Sequence, residues 1–335
     1  MLRIYIVFNL NKWIFIWGRI ELVTVMLVVL ISRKLVPRRV ERLTKYFIVQ
    51  AMASAFVLLG IVYRIFALGE VDLFSKYNTL SYGFIMLGLL VKIAAIPNPF
   101  WFIDVVRGLK LVEGFYVVVA SKIVPIYLYI LLRKDLFSSF LVLVGAGSVL
   151  VGSLMIIKQT NIRKIVALSS ISHLGWLILG LPNLSFQLRL LIFVAYLIMV
   201  LPLLWVGGYY NISNLVNLKR SFTRPMVIFM LIVRLLSLGG FPPLVGFFYK
   251  WSIFLGFLRK SSYLICLFLI IMSLVSLFAY LRLCYLLYSL YNKEIKFSVD
   301  SNLIVVNRLD KWSPILLASV LIVVGGRFSL FNPIF

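Results

Sequence analysis

Acids are scarce in this chain. Ten Asp and Glu stand against 34 Lys and Arg over 335 residues, and histidine occurs once, as His173. One histidine cannot build a metal site alone. The two cysteines, Cys266 and Cys284, are too few and too apolar in setting for a disulfide framework or a metal site. The apolar runs do not alternate polar with apolar residues, which argues against a membrane β-barrel. No small-residue cleavage site follows the apolar start, so the start reads as a membrane segment rather than a cleavable signal. Long polar stretches are missing too, which leaves no inserted soluble domain.

What fills the chain is apolar surface, at 63% hydrophobic residues. Soluble domains hold about 45–50%. Apolar stretches near 20 residues recur from end to end, each long enough to cross a hydrocarbon core of roughly 30 Å as a helix. The expected fold is an all-α polytopic transmembrane helical bundle, a single membrane domain over 1–335. Ten spans are expected, at roughly 10–31, 46–67, 80–97, 112–131, 138–157, 162–181, 185–207, 226–258, 262–288 and 314–331. The longest loop, about 289–313, reads as an amphipathic surface segment.

Net charge is +24. In a soluble chain that would suggest nucleic acid. In a membrane chain, basic loops set orientation and meet anionic lipid head groups, so no nucleic-acid partner is expected. With ten spans, one set of alternate loops collects 18 cations, in 32–45, 107–110, 158–164, 219–224 and 293–311, and the other set collects 7. The rich side is expected inside and both termini outside.

Nine cations remain within or at the edges of spans. Lys12, Arg64, Arg189 and Arg282 lie near ends and read as snorkelling side chains. Glu21, Lys92, Lys122 and Lys250 are harder to dismiss. A charge at the bilayer centre costs about 2.5–3.5 kcal/mol even on the lenient insertion scale. These four must therefore face one another, water or free carbonyls. Static ion pairs holding helices together are one reading. One acid and three bases do not pair off, however, and burial disfavours the charged form of an unpaired lysine, which favours a proton or ion relay. His173, mid-span in SSISHLGW, extends that relay or is a neutral histidine bonded to Ser170 or nearby backbone.

Two spans carry breakers. Lys92 precedes Pro97 and Pro99, and Lys250 follows Gly239, Gly240, Pro242 and Pro243. Proline removes a backbone donor and clashes with the preceding turn. Such a break persists in a membrane only where protein or a watery cavity satisfies the freed groups. Paired broken helices point to inverted-repeat transporters with ion sites at the breaks.

Several stretches carry a resemblance: WGRIE at 17–21, TKYFIVQAMAS at 44–54, VKIAAIPNPFWFIDV at 91–105, ASKIVPI at 120–126, KQTNIRKIVALSSISHLGW at 158–176 and LLSLGGFPPLVGFFYKW at 235–251. In this order they resemble the subunit 2 family of mitochondrial respiratory NADH:ubiquinone oxidoreductase, complex I, one of the antiporter-like families of its membrane arm. The resemblance implies that Glu21 is the family's buried channel glutamate and Lys92 the lysine that pairs with it. It implies that Lys122 is the bridging lysine of the central axis and Lys250 the lysine of the later broken helix. The family's further helix before the glutamate-bearing span is expected to be lost or reduced to a stub. A groove beside 10–31 should then be filled by lipid or a segment of another subunit. Pro99 stands where the family has a histidine, Asp104 replaces its usual glutamate, and Arg234 stands where a small neutral residue is common.

The function so implied is proton translocation through Glu21, Lys92, Lys122 and Lys250, with His173 as a possible further carrier. It would be coupled to NADH:ubiquinone electron transfer elsewhere in the complex. No cofactor is expected in this chain; FMN, iron–sulfur clusters and ubiquinone belong to other subunits, and bound phospholipid such as cardiolipin is expected here. Expected partners are other membrane-arm subunits, accessory subunits and phospholipids, in the mitochondrial inner membrane with both termini on the intermembrane-space side. A stand-alone cation/proton antiporter and a non-conducting scaffold of the membrane arm are the rival readings.

Overall fold

The computed structural model describes residues 12–32, 37–73, 77–132, 138–209, 225–242 and 244–295. Its regular elements there are all helical. The tenth expected span, at 314–331, lies outside the described residues, as do most of the 289–313 loop and the residues before Lys12.

Helix α1 (Trp13–Ile31) and the long α2 (Pro37–Leu68) form the first two spans. α2 starts well before the expected 46, so most of the basic 32–45 stretch is helical rather than loop. Proline fits a first helical position, where its missing N–H is not needed, and Glu41 pairs with Lys45 at 2.9 Å one turn later. At 32 residues and about 1.5 Å per residue, α2 overruns a bilayer core.

The third expected span, 80–97, ends early, and a helix follows where a loop was expected. Helix α3 (Thr79–Ile93) stops at left-handed Ala94, and α4 (Phe100–Gly108) resumes after Pro99. The fourth runs through α5 (Leu111–Phe115), a π-helical turn (Tyr116–Ala120) and α6 (Ser121–Leu131). Then come α7 (Ser138–Ile156), α8 (Ile162–Gly180) and α9 (Phe186–Tyr209). The expected 226–258 span is broken into α10 (Pro225–Gly239) and α11 (Val245–Leu258). Helix α12 (Tyr263–Ile295) is last among the described residues. Among the described residues, seven helices are long and apolar enough to cross a membrane unaided, and α3, α10 and α11 are the shorter pieces.

α8 is the buried axis, enclosed along nearly its whole length. It packs along α7 through small residues. A Cβ on Gly175 would meet the Val149 nitrogen at 2.7 Å and the Gly145 carbonyl at 2.8 Å. Gly88 of α3 makes the same close approach to α2, at 2.6 Å from the Ala53 carbonyl. Close backbone approach over small residues is how helices associate where lipid offers no hydrophobic drive. The opposite extreme is α1, whose Phe15, Leu22, Val25, Met26 and Val29 face outward.

Side chains tie helix ends together at both poles. At one pole Arg163 donates to the Arg107 carbonyl and Arg282 to the Ile157 carbonyl, and Arg42 lies against Gly108. These residues come from three of the basic stretches and from α12, so those stretches share one end of the bundle. At the other pole Tyr82 donates to the Leu132 carbonyl at 2.9 Å and Tyr129 to the Ile178 carbonyl at 2.8 Å. Arg189 donates to the Ile130 carbonyl at 2.8 Å. Arg64 donates to the Asp72 carbonyl at 2.6 Å and lies over the Tyr77 ring. Arg64 and Arg189 are therefore inward-facing and buried, not snorkelling. Each guanidinium is anchored by a main-chain carbonyl, that of Arg189 at the C-terminal end of α6 and that of Arg64 in the segment following its own helix.

Candidate proton-transfer site

The first break is built by its own end-closing turn. Ala94, at φ 65°, donates to the Val91 and Leu90 carbonyls, and Ala95 donates to Leu90. This 6→1 closure ends α3 two residues after Lys92. The Ile96 amide is then caught by Ser148 Oγ at 3.1 Å. Lys92 sits in the last turn of α3, where free carbonyls favour a cation. Its Nζ is 3.9 Å from Glu21 Oε1. The lysine side chain is 1% exposed and the glutamate 26%. Neither Lys92 Nζ nor Glu21 Oε1 makes a hydrogen bond, whereas Glu21 Oε2 accepts from Thr24 Oγ1 at 3.3 Å. The pair is thus in Coulomb contact but not locked.

Lys122 opens α6, directly after the π-helical turn. Pro125 leaves a carbonyl one turn back without its helical donor, and Ser121 Oγ donates to the Val117 carbonyl at 2.7 Å. The Lys122 ammonium is buried without a hydrogen bond, 3.6 Å above the centre of the Phe102 ring. Cation–π contact is its one described stabilisation.

The second break repeats the first closure. Gly240, at φ 83°, donates to Leu236 and Ser237, and Phe241 donates to Leu236. Lys250 of α11 returns to this end, where its Nζ donates to the Gly239 carbonyl at 2.8 Å and to Ser276 Oγ of α12 at 3.1 Å. His173 of α8 lies nearby among aromatic rings. Its centroid is 5.7 Å from Tyr249 and 6.2 Å from Tyr196. Both ring nitrogens are buried without partners, and Ser170 donates to the Ala167 carbonyl instead. A histidine satisfied by Ser170 is therefore not what the fold holds.

Of the five residues singled out from sequence, the fold brings together Glu21 and Lys92. No described hydrogen bond or ion pair joins Lys122 or Lys250 to that pair or to each other. They are separate stations, each at an interruption of helix. Sequence reasoning missed Thr24, Phe102 and Ser276, which touch the stations; Thr24, at i+3 from Glu21, was within reach of a helical-spacing argument. Asp104 is exposed on α4. Arg234 is buried on α10. Among the described residues no three His, Cys, Asp or Glu side chains gather in one place.

A family model described as NADH:quinone oxidoreductase/Mrp antiporter, TM, matches residues 11–276. The chain belongs to this family. Among its relatives, NADH-ubiquinone oxidoreductase chain 2 of Squalus acanthias is 35% identical over 279 residues, 82% of this chain and 79% of that protein. The Gallus gallus protein of the same name is 34% identical over 82% of this chain and 80% of its own length. The fold is shared with a chain of respiratory complex I from Thermus thermophilus, at a TM-score of 0.82 and 22% identity over 97% of this chain and 75% of that one. A chain of an archaeal membrane-bound sulfane sulfur reductase superposes with a TM-score of 0.79 at 17% identity, over 97% and 70%. The family's antiporter-like fold is built here with two breaks beside the buried helix α8.

Proposed function

We propose that this chain is a proton-translocating membrane-arm subunit of an NADH:ubiquinone oxidoreductase, working beside other membrane-arm subunits in the mitochondrial inner membrane. Membership of the family and the identity to the chain 2 proteins support that assignment. The observation that carries the mechanism is the Glu21–Lys92 pair at 3.9 Å, with Lys92 Nζ and Glu21 Oε1 both lacking hydrogen bonds. A pair meant to cement two helices would be locked by good geometry and further hydrogen bonds. This one is held by charge alone, so a small shift in either helix changes the proton affinity of both groups. Lys122 and Lys250 then serve as later carriers, and His173, with two free ring nitrogens, is a further one.

Electrons pass in other subunits, which hold the FMN, iron–sulfur clusters and ubiquinone; one histidine and two cysteines are poor material for a redox centre here. Phospholipid such as cardiolipin and accessory subunits complete the surroundings. The basic pole, with the 32–45 stretch, faces the matrix, and both termini face the intermembrane space. The partly exposed Glu21 and the outward apolar row of α1 call for a cover of lipid or neighbouring subunit.

Glu21→Gln in the intact complex tests the function: proton pumping per electron should fall while assembly persists. Unchanged pumping would overturn it. Protease cleavage within 32–45 from the intermembrane-space face would overturn the orientation.

A further inference from the structure

Gln50 is 3% exposed on α2, and its Nε2 has no acceptor. Glu21 Oε1, the carboxylate oxygen nearest Lys92, is buried and has no donor. The packing of α1 on α2 sets these atoms at one level. Trp17 Nε1 donates to the Ser54 carbonyl at 3.2 Å, which fixes the register of two antiparallel helices. One turn on from Trp17 along α1 is Glu21, and one turn back from Ser54 along α2 is Gln50. A further turn back is Tyr46, which is within electrostatic reach of Glu21. Gln50 thus lies between Ser54, which meets α1 through Trp17, and Tyr46, one turn nearer the basic pole.

A buried amide donor and a buried carboxylate acceptor, unsatisfied on facing helices at the same height, are two ends of one missing connection. Buried polar groups are rarely left without partners, and one ordered water bridges such a gap with little loss against a direct bond. The seam continues toward the basic pole. The Tyr46 ring lies 6.0 Å from the Trp101 ring, and Trp101 Nε1 is another buried donor without an acceptor.

We propose that Gln50 is a positioning residue for proton transfer at Glu21: it holds an ordered water against Oε1, on a polar seam running from Tyr46 at the basic pole. Gln50 itself neither gives nor takes a proton. It fixes the water through which the carboxylate is reached. This inference rests on the proton-translocating reading above.

The test compares Gln50→Met and Gln50→Asn in the assembled complex with Glu21→Gln as the control. Methionine keeps the length and removes the donor. Asparagine keeps an amide but draws it back. In the Met variant, pumping should fall by about fivefold, the factor expected from losing one ordinary hydrogen bond. The infrared carboxyl band that disappears in Glu21→Gln should also shift. The Asn variant should recover part of the pumping. A purely structural role would leave the Glu21 band in place and reduce only stability. Normal pumping with an unmoved band in Gln50→Met overturns the proposal. If Met prevents assembly, Asn decides, and an unshifted band there overturns it. Failure of both variants to assemble makes Gln50 a packing residue, which also overturns it. Normal pumping in Glu21→Gln defeats the functional reading itself, whereas a pumping loss in Glu21→Gln alone defeats only the role of Gln50.

Discussion

The two helix breaks are closed by the same turn and used differently. α3 ends with Leu90, Val91, Ala94 and Ala95 in the hydrogen-bond pattern that Leu236, Ser237, Gly240 and Phe241 repeat at the end of α10. Each break brings an ammonium to the C-terminal end of an interrupted helix, where free carbonyls attract cations. Lys92 comes from the ending helix itself, and Lys250 from the helix that follows. At the first break the ammonium makes no hydrogen bond and leans on Glu21. At the second it is bonded to the Gly239 carbonyl and Ser276. The first lysine therefore depends on a titratable partner on another helix. The second is seated on groups that do not titrate. In the proposed relay, coupling therefore falls to the first break.

Lys250→Met should have the largest effect, because it removes a carrier and strands the Gly239 carbonyl together. Pumping should be lost, and thermal stability of the complex should fall by about 1–3 kcal/mol, the cost of a buried group left unsatisfied. Stability equal to wild type would mean the Lys250 contacts are not seated as described. Lys92→Met should sharpen the contrast: pumping is lost as well, yet assembly and melting temperature stay within about 1 kcal/mol of wild type, since methionine conserves volume and no hydrogen bond is broken. A large stability loss there would erase the distinction between the breaks.

Backbone changes come next. Gly240 and Ala94 hold matching left-handed positions, and only the alanine is strained by its own Cβ. Ala94→Gly should be neutral or raise stability slightly. Gly240→Ala should lower it by about 1 kcal/mol, and its Cβ would press on Lys250 Nζ at 3.2 Å, so pumping should fall in parallel. Melting curves of the two variants check this. Ser276→Ala should cost about 0.5–1.5 kcal/mol with pumping largely kept, because the Gly239 carbonyl still holds Lys250.

Both breaks were legible because closely spaced prolines and glycines disfavour a continuous helix, and the intramembrane charges were legible because lipid makes them costly. The end of α3 fell earlier than the prolines suggested, since Ala94 takes a conformation that alanine seldom announces. The π-helical turn before Lys122 left no mark in the apolar pattern. Arg64 and Arg189 turn inward: position near a span end says nothing about which way a long side chain turns. A carbonyl at the end of α6 holds Arg189, and one in the segment after α2 holds Arg64. Ser276 and Gln50 carry no signal of their own in an apolar run. Their partners come from other helices, so only packing reveals them.

The first break rests on Lys92 being a carrier rather than a counter-charge, and a double-mutant cycle on coupled activity decides between them. In Glu21→Gln the charge that Lys92 would merely balance is gone. If Lys92 carries protons, Lys92→Met should still abolish pumping in the Glu21→Gln background, beyond the loss from Glu21→Gln alone. Full pumping in the Glu21→Gln, Lys92→Met double mutant would contradict that and leave a static ion pair.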